Sequence, residues 1–247
     1  MSDYIIGGWS QTPSDPSPNS FSYTMYGMVT NLNGLTTGTS ASPGWSPTTT
    51  TAPSRSSEVL WTYGGGGCSP SDMPNSNANI EDIVAATKNN GWAGVDIDDE
   101  CSMDVQQLIK TMQALKPNQS SYTFLAGWDY NNPNSSSIGQ AANSAVRQIA
   151  EAKVAERFIL MCYAAEMWSM ADIQANVGPA IQRTIDNGVS PKQVILALTP
   201  AGLNSENLSY FLNQVTSKQI GGLFIWNYPD LSAKDLDTIQ KSLDIFG

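Results

Sequence analysis

The sequence contains no histidine. That absence removes Ser-His-Asp and Cys-His catalysis, imidazole general bases and histidine-ligated zinc. Acid–base chemistry near neutral pH is left to carboxylates, Tyr, Lys or Cys. Basic residues are scarce: 12 Lys and Arg stand against 22 Asp and Glu, a net charge of −10. Such a surface excludes nucleic acid and anionic membrane as partners and suits a neutral substrate. The three cysteines, Cys68, Cys101 and Cys162, are too few and too widely spaced for a disulfide framework or a zinc site. The expectation is free thiols in a reducing compartment, with one disulfide as the alternative. No apolar run is long enough to span a membrane. Met1-Ser2-Asp3 leads into Tyr4-Ile5-Ile6 with neither a basic n-region nor a long apolar h-region, so no signal peptide is read. The chain is therefore expected to be intracellular as it stands, or secreted with its leader removed. The run Gly64–Gly67 is followed by Cys-Ser-Pro-Ser-Asp rather than a helix start, so it is not a phosphate loop. No cofactor and no metal are expected.

What is present centres on Gly94-Val95-Asp96-Ile97-Asp98-Asp99-Glu100. Side chains alternate faces along a strand, so Asp96, Asp98 and Glu100 share one face and Val95 and Ile97 the other. Burying three unpaired carboxylates on one face is costly, and chemistry is the usual reason for such an arrangement. A solvated acidic turn would have no reason to alternate so cleanly with Val95 and Ile97.

The rest of the chain has a regular rhythm. Strands are predicted at Tyr4–Trp9, Phe21–Thr30 and Glu58–Tyr63, separated by Pro/Ser-rich and Gly/Ser/Thr-rich stretches. Asn31–Ser57 is read as a long ordered loop rather than a linker, because one strand pair could not fold alone. From there strands and helices alternate. Helices are predicted at Asn79–Asn90, Ser102–Leu115, Ile138–Lys153, Met170–Gly188 (interrupted near Gly178-Pro179), Asn207–Lys218 and Ser232–Leu243. The intervening strands are Trp92–Asp98, Tyr122–Trp128, Phe158–Tyr163, Gln193–Thr199 and Gly221–Trp226. Alternating β and α units imply a parallel sheet, and eight strands in a chain of 247 residues imply one (β/α)8 TIM barrel over residues 1–247. It would be compact, with irregular loops in place of the first helices. An open doubly wound sheet is the runner-up, disfavoured by the missing glycine-rich turn after the first strand.

A barrel carries its active site at the C-terminal ends of the strands. Those ends hold Trp9, Met28, Tyr63-Gly64-Gly65, Glu100, Trp128-Asp129, Tyr163, Thr199 and Trp226-Asn227, a ring of aromatics around a carboxylate. Sugars stack on such aromatics, and an acid can protonate a glycosidic oxygen. Here the chain resembles glycoside hydrolase family 18, whose signature is Asp-Gly-x-Asp-x-Asp-x-Glu. Thr62-Tyr63-Gly64-Gly65 is similar to that family's Ser-x-Gly-Gly, Met161-Cys162-Tyr163-Ala164 to its Met-x-Tyr-Asp, and Trp226 to its Trp ending the eighth strand.

The resemblance implies a (β/α)8 barrel and cleavage of β-linked N-acetylglucosamine, in chitin oligomers or in the chitobiose core of glycoprotein N-glycans. The substrate's own 2-acetamido oxygen serves as nucleophile, a known exception to the two-carboxylate scheme. It implies Glu100 as the acid, Asp98 orienting the acetamido group, Asp96 coupled to Asp98, and Tyr163 donating to the acetamido carbonyl. Trp226 would floor the sugar site, with Tyr63, Gly64, Gly65, Asp129 and Asn227 as further substrate contacts. Asp99 before Glu100 is more like the endo-β-N-acetylglucosaminidases. Two positions depart from the pattern: Ala93 replaces the first Asp, and Ala164 replaces the Asp after Tyr163. They support the rival reading, a non-catalytic carbohydrate-binding or storage protein on the same barrel. A divalent-cation site on Asp96, Asp98, Asp99 and Glu100 ranks last, because alternate residues on a straight strand diverge.

Overall fold

The computed structural model describes residues 4–11, 16–29, 57–66, 68, 74 and 76–244. Most of the predicted loop Asn31–Ser57, with Trp45, lies outside them, as do Gly67 and the side chain of Met28. Eight parallel strands close into a barrel in sequential order: β1 (Ile5–Ser10), β2 (Tyr23–Val29), β3 (Glu58–Gly64), β4 (Gly94–Asp99), β5 (Gln119–Leu125), β6 (Arg157–Met161), β7 (Val194–Leu198) and β8 (Gly222–Ile225). Helices follow β3 onward: α1 (Asn77–Asn89), α2 (Val105–Leu115), α3 (Trp128–Asn131), α4 (Ser137–Ala152), α5 (Met170–Asp186), α6 (Ser205–Ser217) and α7 (Ala233–Ser242). β8 pairs with β1, so no sheet edge is left open.

Strand parity divides the apolar residues between two clusters. Odd residues of β1 and β2 and their register mates point inward: Trp9, Met25, Leu60, Ile159, Met161, Ile195, Ala197 and Phe224 fill the barrel. Trp61, Val95, Ile97, Tyr122, Phe124, Phe158 and Leu196 point outward and are covered by the helices. Tyr26 follows Met25 and so faces outward, 5.7 Å from the Trp61 ring, rather than toward the barrel centre. Trp61 and Trp92 are buried packing residues.

Local chemistry sets the helix ends. Ser102 has a left-handed φ of 57°, so the second helix starts later than its periodicity predicts, capped by Asp104 accepting from the backbone of Gln106 and Gln107. Ser232 caps α7, as predicted. One prediction is overturned: α5 is continuous through Pro179. Val177, Ala180 and Ile181 are fully buried around it, and that packing offsets the hydrogen bond Pro cannot make.

At the N-terminal mouth Arg157 is buried. Its guanidinium lies 4.0 Å from the centre of the Tyr23 ring and donates to Gln119 Oε1 at 2.6 Å, while Gln119 donates in turn to Glu58. This ties β2, β3, β5 and β6 together far from the opposite rim. Arg157→Ala is expected to cost about 2 kcal/mol in denaturant unfolding.

Candidate active site

β4 presents its acids as its parity requires. Register places Asp96 beside Thr62 of β3 and Ser121 of β5, and Asp98 beside Gly64 and Thr123. Asp96 is wholly buried and accepts four side-chain hydrogen bonds. Thr62 Oγ1 (3.0 Å) and Trp9 Nε1 (3.3 Å) donate to one oxygen; Ser121 Oγ (2.6 Å) and Thr123 Oγ1 (2.8 Å) donate to the other. Trp9 Nε1 also donates to Thr62 Oγ1 at 3.0 Å, leaving that hydroxyl's proton for Asp96. Burial raises the Asp96 pKa, and the four donors offset part of the rise.

Asp98 differs. It is 2% exposed, and its Oδ1 has no hydrogen-bond partner among the described residues. Burial holds its pKa well above the carboxylate range, and the charges of Glu100, Asp96 and Asp99 push it further. The row therefore titrates as a coupled set in which Asp98 retains a proton most readily. Glu100 sits half-buried at the rim. Burial raises its pKa, and neighbouring Asp99 adds to the rise. A carboxyl whose pKa is raised in this way is better suited to general-acid work than a free one.

The loops after β3 and β4 hold Glu100. Gly64 has φ +112°, and a Cβ there would lie 2.2 Å from the Asp98 carbonyl oxygen, so no other residue fits. Gly65 N–H donates to that carbonyl at 2.8 Å. A Cβ on Gly66 would be 3.6 Å from Glu100 Oε1, which shows how closely this turn approaches the acid. Asp99 points outward, where Tyr122 OH and Met103 N–H each donate to it at 2.9 Å, pinning the loop that carries Glu100.

The expectation of free thiols is corrected here. Cys68 and Cys101 form a disulfide joining the two loops, with Cα atoms 5.9 Å apart. Their separation of 33 residues made the pair look unrelated, but β3 and β4 are neighbours and both cysteines lie just past the same rim. Only Cys162 is free among the described residues. It is buried outside the barrel, its thiol donating to Ala126 O, and burial pushes its pKa up. The Cys68→Ser/Cys101→Ser double variant should lose about 3–4 kcal/mol by loop-closure entropy. It should also release the turn beside Glu100; calorimetry checks the first effect and hydrogen exchange at Gly65 the second.

One strand beyond β5, Tyr163 follows β6 and is 8% exposed, packed in the interior cluster with Met161 and Trp226. Burial, then the charges of Asp98 and Glu100, hold its pKa well above the usual phenol value, so its hydroxyl keeps its proton and can donate. Trp226 is half-buried, its ring 6.4 Å from that of Trp9.

Not all predicted site residues gather there. Tyr63 faces the helical layer, 1% exposed, because it is one residue past inward-facing Thr62. It is not a lining residue. Asp129 lies exposed on α3, and Asn227 adopts a left-handed φ of 56° and donates to Asp230. Trp9 and Thr62 stand where the sequence places them, but their hydrogen bonds to Asp96, and the part played by Ser121 and Thr123, are not read from the sequence. The signal was Ser121 and Thr123, alternate residues of β5 that share its inward face: polar side chains pointing into a barrel need a partner. Among the described residues, no group of three or more His, Cys, Asp or Glu is placed to hold a metal.

No family profile and no curated protein sequence matches the chain. Solved structures do. A GH18 chitinase from Pseudoalteromonas aurantia superposes with a TM-score of 0.73, at 17% identity, covering 97% of this chain and 100% of the other. A fungal endo-β-N-acetylglucosaminidase of glycosyl hydrolase family 18 gives 0.67 at 17% identity, covering 97% and 96%. Its fold is that of the family 18 glycoside hydrolases. The same fold carries a protein without a hydrolase's name: the xylanase and α-amylase inhibitor XAIP-II from Scadoxus multiflorus superposes at 0.65 with 16% identity, covering 96% and 98%. Within the family 18 fold, Ala93 is half-buried beside the interior cluster, and Ala164 is exposed, its N–H donating to Glu166 O at 3.2 Å.

Proposed function

We propose that this protein is a retaining glycosidase that cleaves β-linked N-acetylglucosamine, in chitin oligomers or in the chitobiose core of N-glycans, by substrate-assisted catalysis. The observation that carries the reading is the graded environment of one row of acids: Asp96 saturated with donors, Asp98 buried with an oxygen left over, Glu100 half-open at the rim.

In this mechanism protonated Glu100 gives its proton to the glycosidic oxygen as the C1–O bond breaks. The 2-acetamido oxygen attacks C1 from within the substrate and forms an oxazolinium ion. Asp98 accepts a hydrogen bond from the acetamido N–H through Oδ1, which has no partner among the described residues. That bond and the positive ring favour ionised Asp98, so charge develops where the transition state needs it. Asp96 stays fixed by its four donors and keeps Asp98's proton affinity high. Tyr163 donates to the acetamido oxygen, and Trp226 packs against the sugar. Water then opens the oxazolinium, returning a proton to Glu100. The partners are N-acetylglucosamine oligosaccharides or glycoprotein glycans.

A second reading, a carbohydrate-binding or storage protein without turnover, is favoured by Ala93 and Ala164, which remove two carboxylates from the expected set. Mass spectrometry of products from N-acetylglucosamine oligomers and a high-mannose glycopeptide separates the two. Cleavage of either supports the glycosidase. Binding of both without cleavage, by folded protein, supports the second reading.

A further inference from the structure

The turn that carries Glu100 is held from both sides. Toward β3, the Cys68–Cys101 disulfide and the close approach of Gly66 bound it. Toward β5, a second fastening runs through Asp99. One Asp99 oxygen accepts from Met103 N–H and the other from Tyr122 OH, each at 2.9 Å. The first bond closes a ring over Glu100, Cys101 and Ser102, the residue with a left-handed φ of 57°. The second ties that ring to β5, where Tyr122 is 1% exposed and stacked on Phe124, the ring centres 5.5 Å apart. Burial, then the charge of Asp99, hold the Tyr122 proton in place, so the hydroxyl stays a donor.

Asp99 is out of keeping with its surroundings. Val95 and Ile97 share its face of β4 and are buried under the helices. An acid there also stands next to Glu100, and like charges side by side disfavour each other. No Lys or Arg forms an ion pair with either acid among the described residues. An apolar residue would suit the same face at less cost, but it would leave Met103 N–H and the buried Tyr122 hydroxyl without this acceptor.

We propose that Asp99 and Tyr122 are positioning residues: Asp99, anchored by Tyr122, sets the backbone of the Glu100 turn and holds a negative charge beside the acid. This rests on the glycosidase reading. Geometry and charge are separate contributions of one side chain. The geometry keeps Glu100 within reach of the glycosidic oxygen, where a small displacement costs rate. The charge makes Glu100 hold its proton to higher pH. Asp98 of β4 and Tyr163 after β6 also feel Glu100's charge, and both stay as they are in the variants that separate the two contributions.

Tyr122→Phe removes the anchor and keeps the charge. Asp99→Asn removes the charge and keeps both contacts, its amide oxygen accepting from Met103 N–H and its amide nitrogen donating to the Tyr122 oxygen. Asp99→Ala removes both. Values of kcat and KM on the N-acetylglucosamine tetramer are measured across pH. The Glu100 carboxyl is titrated by carbon-13 NMR, assigned with Glu100→Gln, and hydrogen exchange is followed at Met103 N–H. Tyr122→Phe should lower kcat about tenfold at every pH, with KM within about twofold and the basic limb unmoved. Asp99→Asn should keep kcat within about twofold on the acidic side and move the basic limb, with the Glu100 titration, about one pH unit lower. Asp99→Ala should show both changes and lose the protection of Met103 N–H. Full turnover in folded Tyr122→Phe, a Glu100 titration unmoved in Asp99→Asn, or equal losses in Asp99→Asn and Asp99→Ala at every pH would overturn the proposal. Should Asp99→Ala not fold, the other two variants decide it. If the wild type cleaves no N-acetylglucosamine oligomer, the glycosidase reading fails separately. The Glu100 titration and the Met103 exchange then still decide whether Asp99 sets the turn and its charge.

Discussion

Glu100→Gln is expected to lower turnover of N-acetylglucosamine oligomers about 10³-fold while leaving their affinity within a few-fold of wild type. Gln matches Glu in size and still donates a hydrogen bond to the glycosidic oxygen, so ground-state contacts survive. It has no proton to transfer, and a positioned general acid is worth about 10²–10⁴ in rate. The pH profile carries the sharper signature. In the proposed mechanism Glu100 acts as the protonated acid, so wild-type kcat/KM is expected to fall as pH rises through its pKa. Burial and Asp99 raise that pKa above the ordinary carboxylate value, so the basic limb should begin correspondingly high. In Glu100→Gln that limb should disappear from whatever residual rate remains. A variant that retains full turnover, or a wild type whose basic limb is untouched by the substitution, would remove Glu100 as the acid.

How much of this was legible before the structure depends on the range of the interaction. The barrel was readable because its signals are local and repeated: alternating strands, amphipathic helices and caps such as Ser232. The acid row was readable because parity along one strand needs nothing from elsewhere. Parity also explains the Tyr63 error. A residue at a strand end is pictured at the rim, but a shift of one residue decides whether it meets substrate or the helical layer. The remaining gaps are contacts between strands. Asp96's donors come from β1, β3 and β5, and only the closed register brings them to one carboxylate. The Cys68–Cys101 link has the same origin: two loops distant in sequence lie side by side because β3 pairs with β4. The continuity of α5 through Pro179 is a tertiary effect outweighing a local one.

Asp98→Asn should make the protein more stable and nearly inactive. Asp98 is buried with one oxygen unpartnered and three other carboxylates raising its pKa. An unsatisfied buried polar group of this kind costs about 1–3 kcal/mol. For a group whose folded pKa is raised, the folded state binds the proton more tightly than the unfolded chain. Stability is then fully present below the unfolded carboxylate pKa and is lost as pH rises through the folded value. Asn carries no titrating proton, so the melting-temperature gain of Asp98→Asn should be small near pH 4 and widen toward pH 8. A gain of about 2–4 °C per kcal/mol is expected for a chain of this size. The same change should cut kcat about 10²–10³-fold, because a neutral amide cannot supply the developing negative charge that stabilises the oxazolinium. Calorimetry across pH and the kinetics of the same variant read both arms. A stabilised variant with full turnover would leave Asp98 a structural liability without a catalytic role. A destabilised one would mean that its carboxyl holds the barrel together through contacts stronger than the burial it suffers.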